Sequence, residues 1–334
     1  MPGPGSSPGQ ALVPGIHVLS AATSKDVDGR DKPGHDGAAA VGPKVADVLQ
    51  LVVAGLATGG VYALAAIGFT LLWQTSQTVN FAQGEFVMLP AFFVLFAMNV
   101  LGLPFAVAAL VGIAVSVFVL GFLFKRAVVD QTIRHGALPL VISSIAFALF
   151  LKEGVKDFAG AEPQPFPSLG AGSVSIGDAT LPVHSLVAIV VAVAAVAALQ
   201  AFLDRTRVGR NLQATAHNLS VARVLGIPVE RMIRYAFLIN AALAALAALL
   251  ITPVYLASFS NGEWLGLCAF VAALAGGLNL RGAILGGLAL GFVDNLAAVY
   301  LTPTYRGALP LLILIGVALS RPHGLLGRGE EAAV

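Results

Sequence analysis

The sequence predicts an all-α fold, a polytopic membrane helix bundle of about eight to nine membrane segments, and three observations carry that prediction. Hydrophobic residues make up 57% of the 334 positions, charged residues only 11%, and the mean hydropathy is +0.88. Soluble domains carry roughly 25% charged residues, so a water-surrounded globular core is excluded. Apolar runs of about 18 residues or more recur along the chain, each enough to cross a bilayer core. Many of the 37 glycines fall inside these runs, which in membranes marks close helix approach rather than flexibility. A formal net charge of +2 gives no electrostatic footprint for nucleic acid. The single cysteine, Cys268, allows no internal disulfide, and no Cys/His spacing suits a metal, so no cofactor is expected.

The chain opens on different material. Residues 1–44, with MPGPGSSPGQ and DGRDKPGHDG, are rich in Gly, Pro and Asp and have no apolar face to bury. They read as a disordered extension, and no apolar stretch follows a basic start as a signal peptide requires. The stretch PGIHVLSAATSKDVDGRDKPGHDG also resembles sequence translated at the front of bacterial reading frames from a misplaced start codon. A membrane domain is expected over 45–328, followed by a short tail at 329–334.

Apolar segments succeed one another at 46–73, 81–99, 104–124, 138–156, 183–203, 235–256, 264–280, 283–301 and 307–320. Spanning takes about 20 residues, so the last is short and its ends reach into the interface. Lys125, Arg126 and Arg134 lie in one connection, Arg205, Arg207, Arg210, Arg223, Arg231 and Arg234 in another, and Arg321 and Arg328 at the end. The positive-inside rule makes all three cytoplasmic, while the loop at 157–181 has no Lys or Arg from Phe158 onward and faces out. At the front the parity stays open. Nine crossings put the N-terminal side outside. An N-terminal side in the cytoplasm requires one early segment not to cross, and 81–99 is the candidate, because Pro90 removes a backbone donor in its middle.

That segment begins with TVNFAQGEF, residues 78–86. An ionisable residue at membrane depth costs about 2.5–3.5 kcal/mol on insertion scales, so Glu85 is expected to face protein or water. Asn80, Gln83 and Glu85 either satisfy carbonyls freed by a broken helix or line a cavity. In the first segment Gly59, Gly60, Ala63, Ala66 and Gly68 let another helix approach, and Tyr62 sits among them as a packing or path-lining residue. Gly282, Gly286, Gly287 and Gly291 repeat the small-xxx-small spacing in the eighth segment. Asp294 near the middle of that segment is a second acid, either lining a path or bonding a neighbouring helix.

The connection 204–234 contains GRNLQATAHNLSVARVLG, which reads as one short amphipathic helix with Leu212, Ala216, Leu219 and Val224 on its apolar face and Gly226 and Pro228 after its end. An apolar face outside the bilayer needs a cover, either lipid headgroups or a protein partner.

Four blocks in order, GLATGGVYALAAIGFTLLW, NFAQGEFVMLPAF, GRNLQATAHNLSVARVLGIPVERM and LAGGLNLRGAILGGLALGFVDN, resemble the branched-chain amino acid ABC transporter permeases, in particular their shorter, leucine/isoleucine/valine type. The resemblance runs from about residue 45 to 328. It implies a multi-pass subunit of the bacterial inner membrane that forms the path for branched-chain amino acids. The implied partners are a second homologous permease, two ATP-binding subunits and a periplasmic substrate-binding protein. The resemblance also identifies 204–234 as the coupling loop for the ATPase, carried by Gly209, Arg210, Ala214, Asn218, Ala222, Gly226 and Ile227. His217 departs from the acidic or amide residue expected before the asparagine, and Arg281 stands where the relatives usually have proline.

No catalytic set accompanies these features: the sequence has no GxxxxGK[ST], no Gly-x-Ser-x-Gly and no HExxH. The chain is therefore expected to transport without an ATPase site of its own. Relatives of this type also import urea and short amides. An ion-coupled secondary carrier using Glu85 and Asp294 is the rival of a different class, and it has no need of a cytoplasmic coupling helix.

Overall fold

The computed structural model describes residues 45–300, 308–320 and 324. The predicted extension 1–44, the tail 329–334, and Arg321 and Arg328 lie outside the described residues. Helix α1 (Val45–Ser76) is followed by α2 (Gln83–Asn99), α3 (Phe105–Thr132) and α4 (Ala137–Ala159). A β-hairpin of β1 (Ser173–Ile176) and β2 (Ala179–Pro182) then leads into α5 (Val183–Arg205). Two short helices, α6 (Arg207–His217) and α7 (Leu219–Val224), precede α8 (Val229–Tyr255), α9 (Asn261–Ala275), α10 (Leu280–Tyr300) and α11 (Leu309–Ser320). The hairpin, inside the stretch read as a loop, is a small exception to the all-α expectation.

Among the described residues, six helices are long and apolar enough to cross a membrane: α1, α3, α4, α5, α8 and α10. Three apolar helices, α2, α9 and α11, are shorter. Burial separates centre from periphery. In α1 and α8, 67% of the most apolar window is buried, against 17% in α4 and 22% in α5. The bundle is thus built around α1 and α8, and α4 presents most of its apolar surface outward.

Glycine stripes explain the centre. On α10, Gly287 and Gly291 lie against the backbone of Ala63 and Gly59 of α1, so closely that neither position has room for a Cβ. Gly282 and Gly286, on the same helix, press instead on Gly276 and Ala272 at the end of α9. The two small-xxx-small pairs read in the sequence therefore serve two different neighbours, which is how α10 wedges between α1 and α9. Gly55 opposes Phe292 while Gly59 opposes Leu288, so α1 and α10 run antiparallel.

The break near the second segment comes before Pro90, not at it. Helix α2 runs through Pro90, and residues 77–82 are the non-helical part. The cause is local. Thr75 and Ser76 hydroxyls bond back to the carbonyls of Leu71 and Leu72, Gln77 adopts φ +53°, and Asn80 Oδ1 accepts from Ala82 N at 3.1 Å. Short polar side chains here compete with the helix ladder for its own donors and acceptors, whereas a proline inside a packed helix forfeits one ladder bond.

The third segment also differs from its reading. It continues as helix to Thr132 through π-helical turns at Val117–Leu123 and Lys125–Val129, so Lys125 and Arg126 stand on the helix and Lys125 pairs with Asp130. The ends of α1 are anchored at opposite poles. Gln50 Nε2 donates to Thr180 Oγ1 of the hairpin at 3.4 Å, and Gln74 Nε2 donates to the Leu278 carbonyl, in the α9–α10 turn, at 2.8 Å.

Candidate functional site

The non-helical stretch 77–82 delivers the start of α2 into the interior of the bundle, and the polar residues of TVNFAQGEF are buried there: Asn80, Gln83 and Glu85 are each at least nine-tenths covered. Gln83 and Asn240, near the middle of α8, form a reciprocal amide pair. Gln83 Nε2 donates to Asn240 Oδ1 at 3.0 Å, and Asn240 Nδ2 donates to Gln83 Oε1 at 2.8 Å. Gln83 Nε2 also reaches the Ala65 carbonyl at 3.3 Å. This amide is fully engaged in tying α2 to α1 and α8. Gly68 makes the pair possible, since a side chain there would strike Asn240.

Glu85 is different. Its Oε2 is buried and has no hydrogen-bond partner among the described residues, and Asn80 Nδ2 is in the same condition. Both residues line one cavity of about 480 Å³ between the starts of α2 and α9 and one face of α4. Its other walls are mostly apolar, with Phe69, Leu267, Phe270, Ile145 and Leu149 among them. At the same cavity Lys152 Nζ of α4 donates to Glu263 Oε1 of α9. The Glu263 side chain is 67% exposed. A carboxylate so exposed beside long apolar helices is affordable against water or protein and not against hydrocarbon. The starts of α2 and α9 meet through glycine: Gly84 lies against Gly262 and Gly266, and a Cβ on Gly262 would come within 2.6–2.8 Å of the Glu85 carboxyl.

Tyr62 and Asp294 sit elsewhere. Tyr62 OH donates to Asp294 Oδ2 at 3.0 Å, Tyr255 OH lies 3.5 Å from the same oxygen, and both members of the first pair are buried. The carboxylate thereby joins α1, α8 and α10. The five path-lining candidates thus divide into Asn80, Gln83 and Glu85 at the cavity and Tyr62 with Asp294 in a separate helix-bridging cluster. Sequence reading missed Lys152 and Glu263, whose charges looked like segment ends. It also missed Asn240, although one amide within AFLINAALAALAALL carries the same kind of signal as Glu85.

The connection 204–234 folds as two helices, not the one its apolar spacing suggests. Asn218 is the hinge: it leaves α6 with extended backbone, and its Oδ1 caps α7 by accepting from Ser220 N and Val221 N, each at 3.0 Å. Thr206 caps α6 by accepting from Gly209 N at 2.9 Å. Gly209 itself packs on the Phe202 and Leu203 backbone, where no Cβ fits. Gly226, at φ +77°, ends α7, and Ile227 N bonds back to the Ala222 carbonyl at 3.0 Å, a Schellman-type closure. Leu212 and Ala222 are buried, Ala214 half-buried and Arg210 exposed, its Nη1 3.5 Å from the Asp204 carbonyl. Val224, expected on the covered apolar face, is exposed, as are Val221 and Leu225 beside it. Most of the seven predicted coupling positions therefore shape the helix pair, and the outward apolar surface is made by three others.

Comparison with known proteins gives consistent matches. A family model described as the permease component of branched-chain amino acid transport systems matches residues 51–318. The chain is 32% identical over 300 residues to the high-affinity branched-chain amino acid transport system permease protein LivH of Escherichia coli K12, covering 86% of this chain and 97% of that protein. It is 32% identical over 308 residues to the corresponding protein BraD of Pseudomonas aeruginosa, covering 87% and 100%. A probable branched-chain amino acid transport permease of Methanocaldococcus jannaschii is 26% identical over 281 residues, covering 79% and 88%.

Proposed function

The chain belongs to the family of branched-chain amino acid transport permease components, and from that premise we propose that it is the membrane-path subunit of an ATP-driven importer for these amino acids. The observation that carries the reading is the reach of the family match, which takes in α1 to α11 almost entire, at residues 51–318. The chain is a multi-pass protein of the bacterial inner membrane. Its partners are a second homologous permease, two ATP-binding subunits and a periplasmic binding protein. The exposed apolar face of α4 suits the second permease, and specificity rests mainly with the binding protein.

Helices α6 and α7 act as the coupling element. Caps at Thr206 and Asn218 and the Gly226 closure hold them rigid, and Val221, Val224 and Leu225 form an apolar knob suited to a groove on the ATPase. ATP closes the ATPase pair, and the docked helices carry α5 and α8 with them. The membrane path runs past the cavity of Asn80, Gln83 and Glu85; Tyr62 and Asp294 brace the helices behind it. Nine crossings fit the chain. The Gln50–Thr180 bond supports an outward start for α1, because the hairpin belongs to the connection without Lys or Arg from Phe158 onward. The Gln74–Leu278 bond supports an inward end near Arg281.

Uptake of radiolabelled leucine tests the reading, in a strain lacking this gene and in its parent, with and without a protonophore while ATP is maintained. Uptake that survives the protonophore and disappears with the gene is the expected result. Loss to the protonophore would point to an ion-coupled carrier instead. Uptake indifferent to the deletion, once redundancy is removed, would move the substrate to urea or short amides.

A further inference from the structure

The cavity beside α2 is built for more than a passing solute. Among the described residues four buried side-chain polar atoms have no hydrogen-bond partner, and two of them, Glu85 Oε2 and Asn80 Nδ2, line this one cavity. One is a carboxyl oxygen and the other an amide donor. Lys152 and Glu263 form an ion pair on the same walls, so the cavity holds two carboxyl groups to one cation. A carboxyl group buried without a partner stays neutral unless something supplies a positive donor. Apart from Gln83 and three glycines the rest of the lining is aliphatic and aromatic, and about 480 Å³ falls in the usual range of roughly 300–1,000 Å³ for small-molecule pockets. One class of ligand answers each of these features: a zwitterion with an aliphatic side chain.

We propose that this cavity is a resting site for an α-amino acid on its way through the membrane: Glu85 receives the ammonium, Asn80 Nδ2 and Lys152 receive the carboxylate, and the side chain lies on Phe69, Leu267 and Phe270. The proposal rests on the importer reading above and gives the path a chemical filter of its own. Gly262 belongs to the site because any side chain there would occupy the space beside the Glu85 carboxyl. Asn80 offers a probe. Its Oδ1 accepts from Ala82 N and its Nδ2 has no partner among the described residues, so Asn80→Asp keeps the structural acceptor while it replaces the donor with an anionic oxygen that repels a substrate carboxylate.

The test uses the complete transporter reconstituted with its loaded binding protein, and reads leucine imported per ATP hydrolysed. Glu85→Gln and Asn80→Asp are each expected to lower that ratio at least tenfold in complexes that still assemble and hydrolyse ATP. Parental coupling in either assembled variant overturns the proposal. Loss in Glu85→Gln with full transport in Asn80→Asp also overturns it, in favour of a bare cation or proton site. A parental complex that imports no leucine would instead remove the importer reading itself. A second measurement does not depend on these variants folding: Ala148→Cys on the cavity wall, in a chain whose one cysteine is replaced by Cys268→Ala, is alkylated with and without ligand. Leucine should slow the reaction, while 3-methylbutylamine and 4-methylpentanoate, each lacking one charged group, should not. Equal protection by all three, or by none, counts against the site.

Discussion

Gln83 and Asn240 show how a polar residue in a membrane helix can be structural, while Glu85, two positions away, keeps a buried Oε2 with no hydrogen-bond partner among the described residues. The amide pair is closed on both sides and buried, so removing one member strands the other. Gln83→Leu or Asn240→Leu alone is expected to destabilise the protein by about 1–3 kcal/mol, the cost of leaving a buried polar group unpaired. The double substitution should cost less than the sum of the two, because no stranded amide remains. Thermal unfolding of the four proteins in detergent, read as a double-mutant cycle, measures this; additive losses would mean that the two amides do not depend on each other. At this scale the sequence was partly legible. Glu85 and Asn80 stood out because charge and amide are rare in an apolar run. Their companions Lys152 and Glu263 did not, because a charge near the end of an apolar segment looks like a loop until the fold places it on a cavity wall.

Helices were legible as apolar runs, and their ends were not. The run at 235–256 became a helix from Val229, so Arg231 and Arg234 stand on its first turns, and the run at 264–280 became a shorter helix ending at Ala275. Hydrophobicity marks what lipid or core can cover, whereas helix ends are set by caps and turns that it does not sense. The pair α6–α7 is the sharpest case: apolar spacing suggested one helix, and Asn218, a strong capping residue in its middle, made two. The split turns Val221, Val224 and Leu225 outward. Replacing Val221 and Val224 together by aspartate is therefore expected to leave the protein in the membrane at normal level, since neither side chain is buried. Leucine uptake and recovery of the ATP-binding subunits on purification should both fall at least tenfold. The same substitutions with uptake retained would assign the apolar knob to lipid headgroups rather than to a partner.

For the whole molecule, composition settled the class at once, and charge placement predicts an orientation for each segment from α3 onward; only the parity at the front stayed open in the sequence. The reason is physical. In the sequence Pro90 made 81–99 the candidate not to cross, yet a chain can cross with part of its backbone irregular when protein surrounds that part. Here α2 itself has 17 residues, and the non-helical 77–82 precedes it with Asn80 and Ala82 buried. Two hydrogen bonds at the poles of α1, from Gln50 to the hairpin and from Gln74 to the α9–α10 turn, fit the proposal that its two ends lie on opposite sides. If 77–99 crosses as a half-helical span, the start of α1 faces outward with the hairpin. Val48→Cys, at an exposed position near that start, should then react with a membrane-impermeant maleimide in spheroplasts, whereas Val224→Cys should react only after the membrane is opened. Protection of Val48→Cys until permeabilisation would mean that α2 returns to the side it came from. It would also put the Glu85 cavity at the floor of a re-entrant loop, where a substrate would meet it last rather than on the way in.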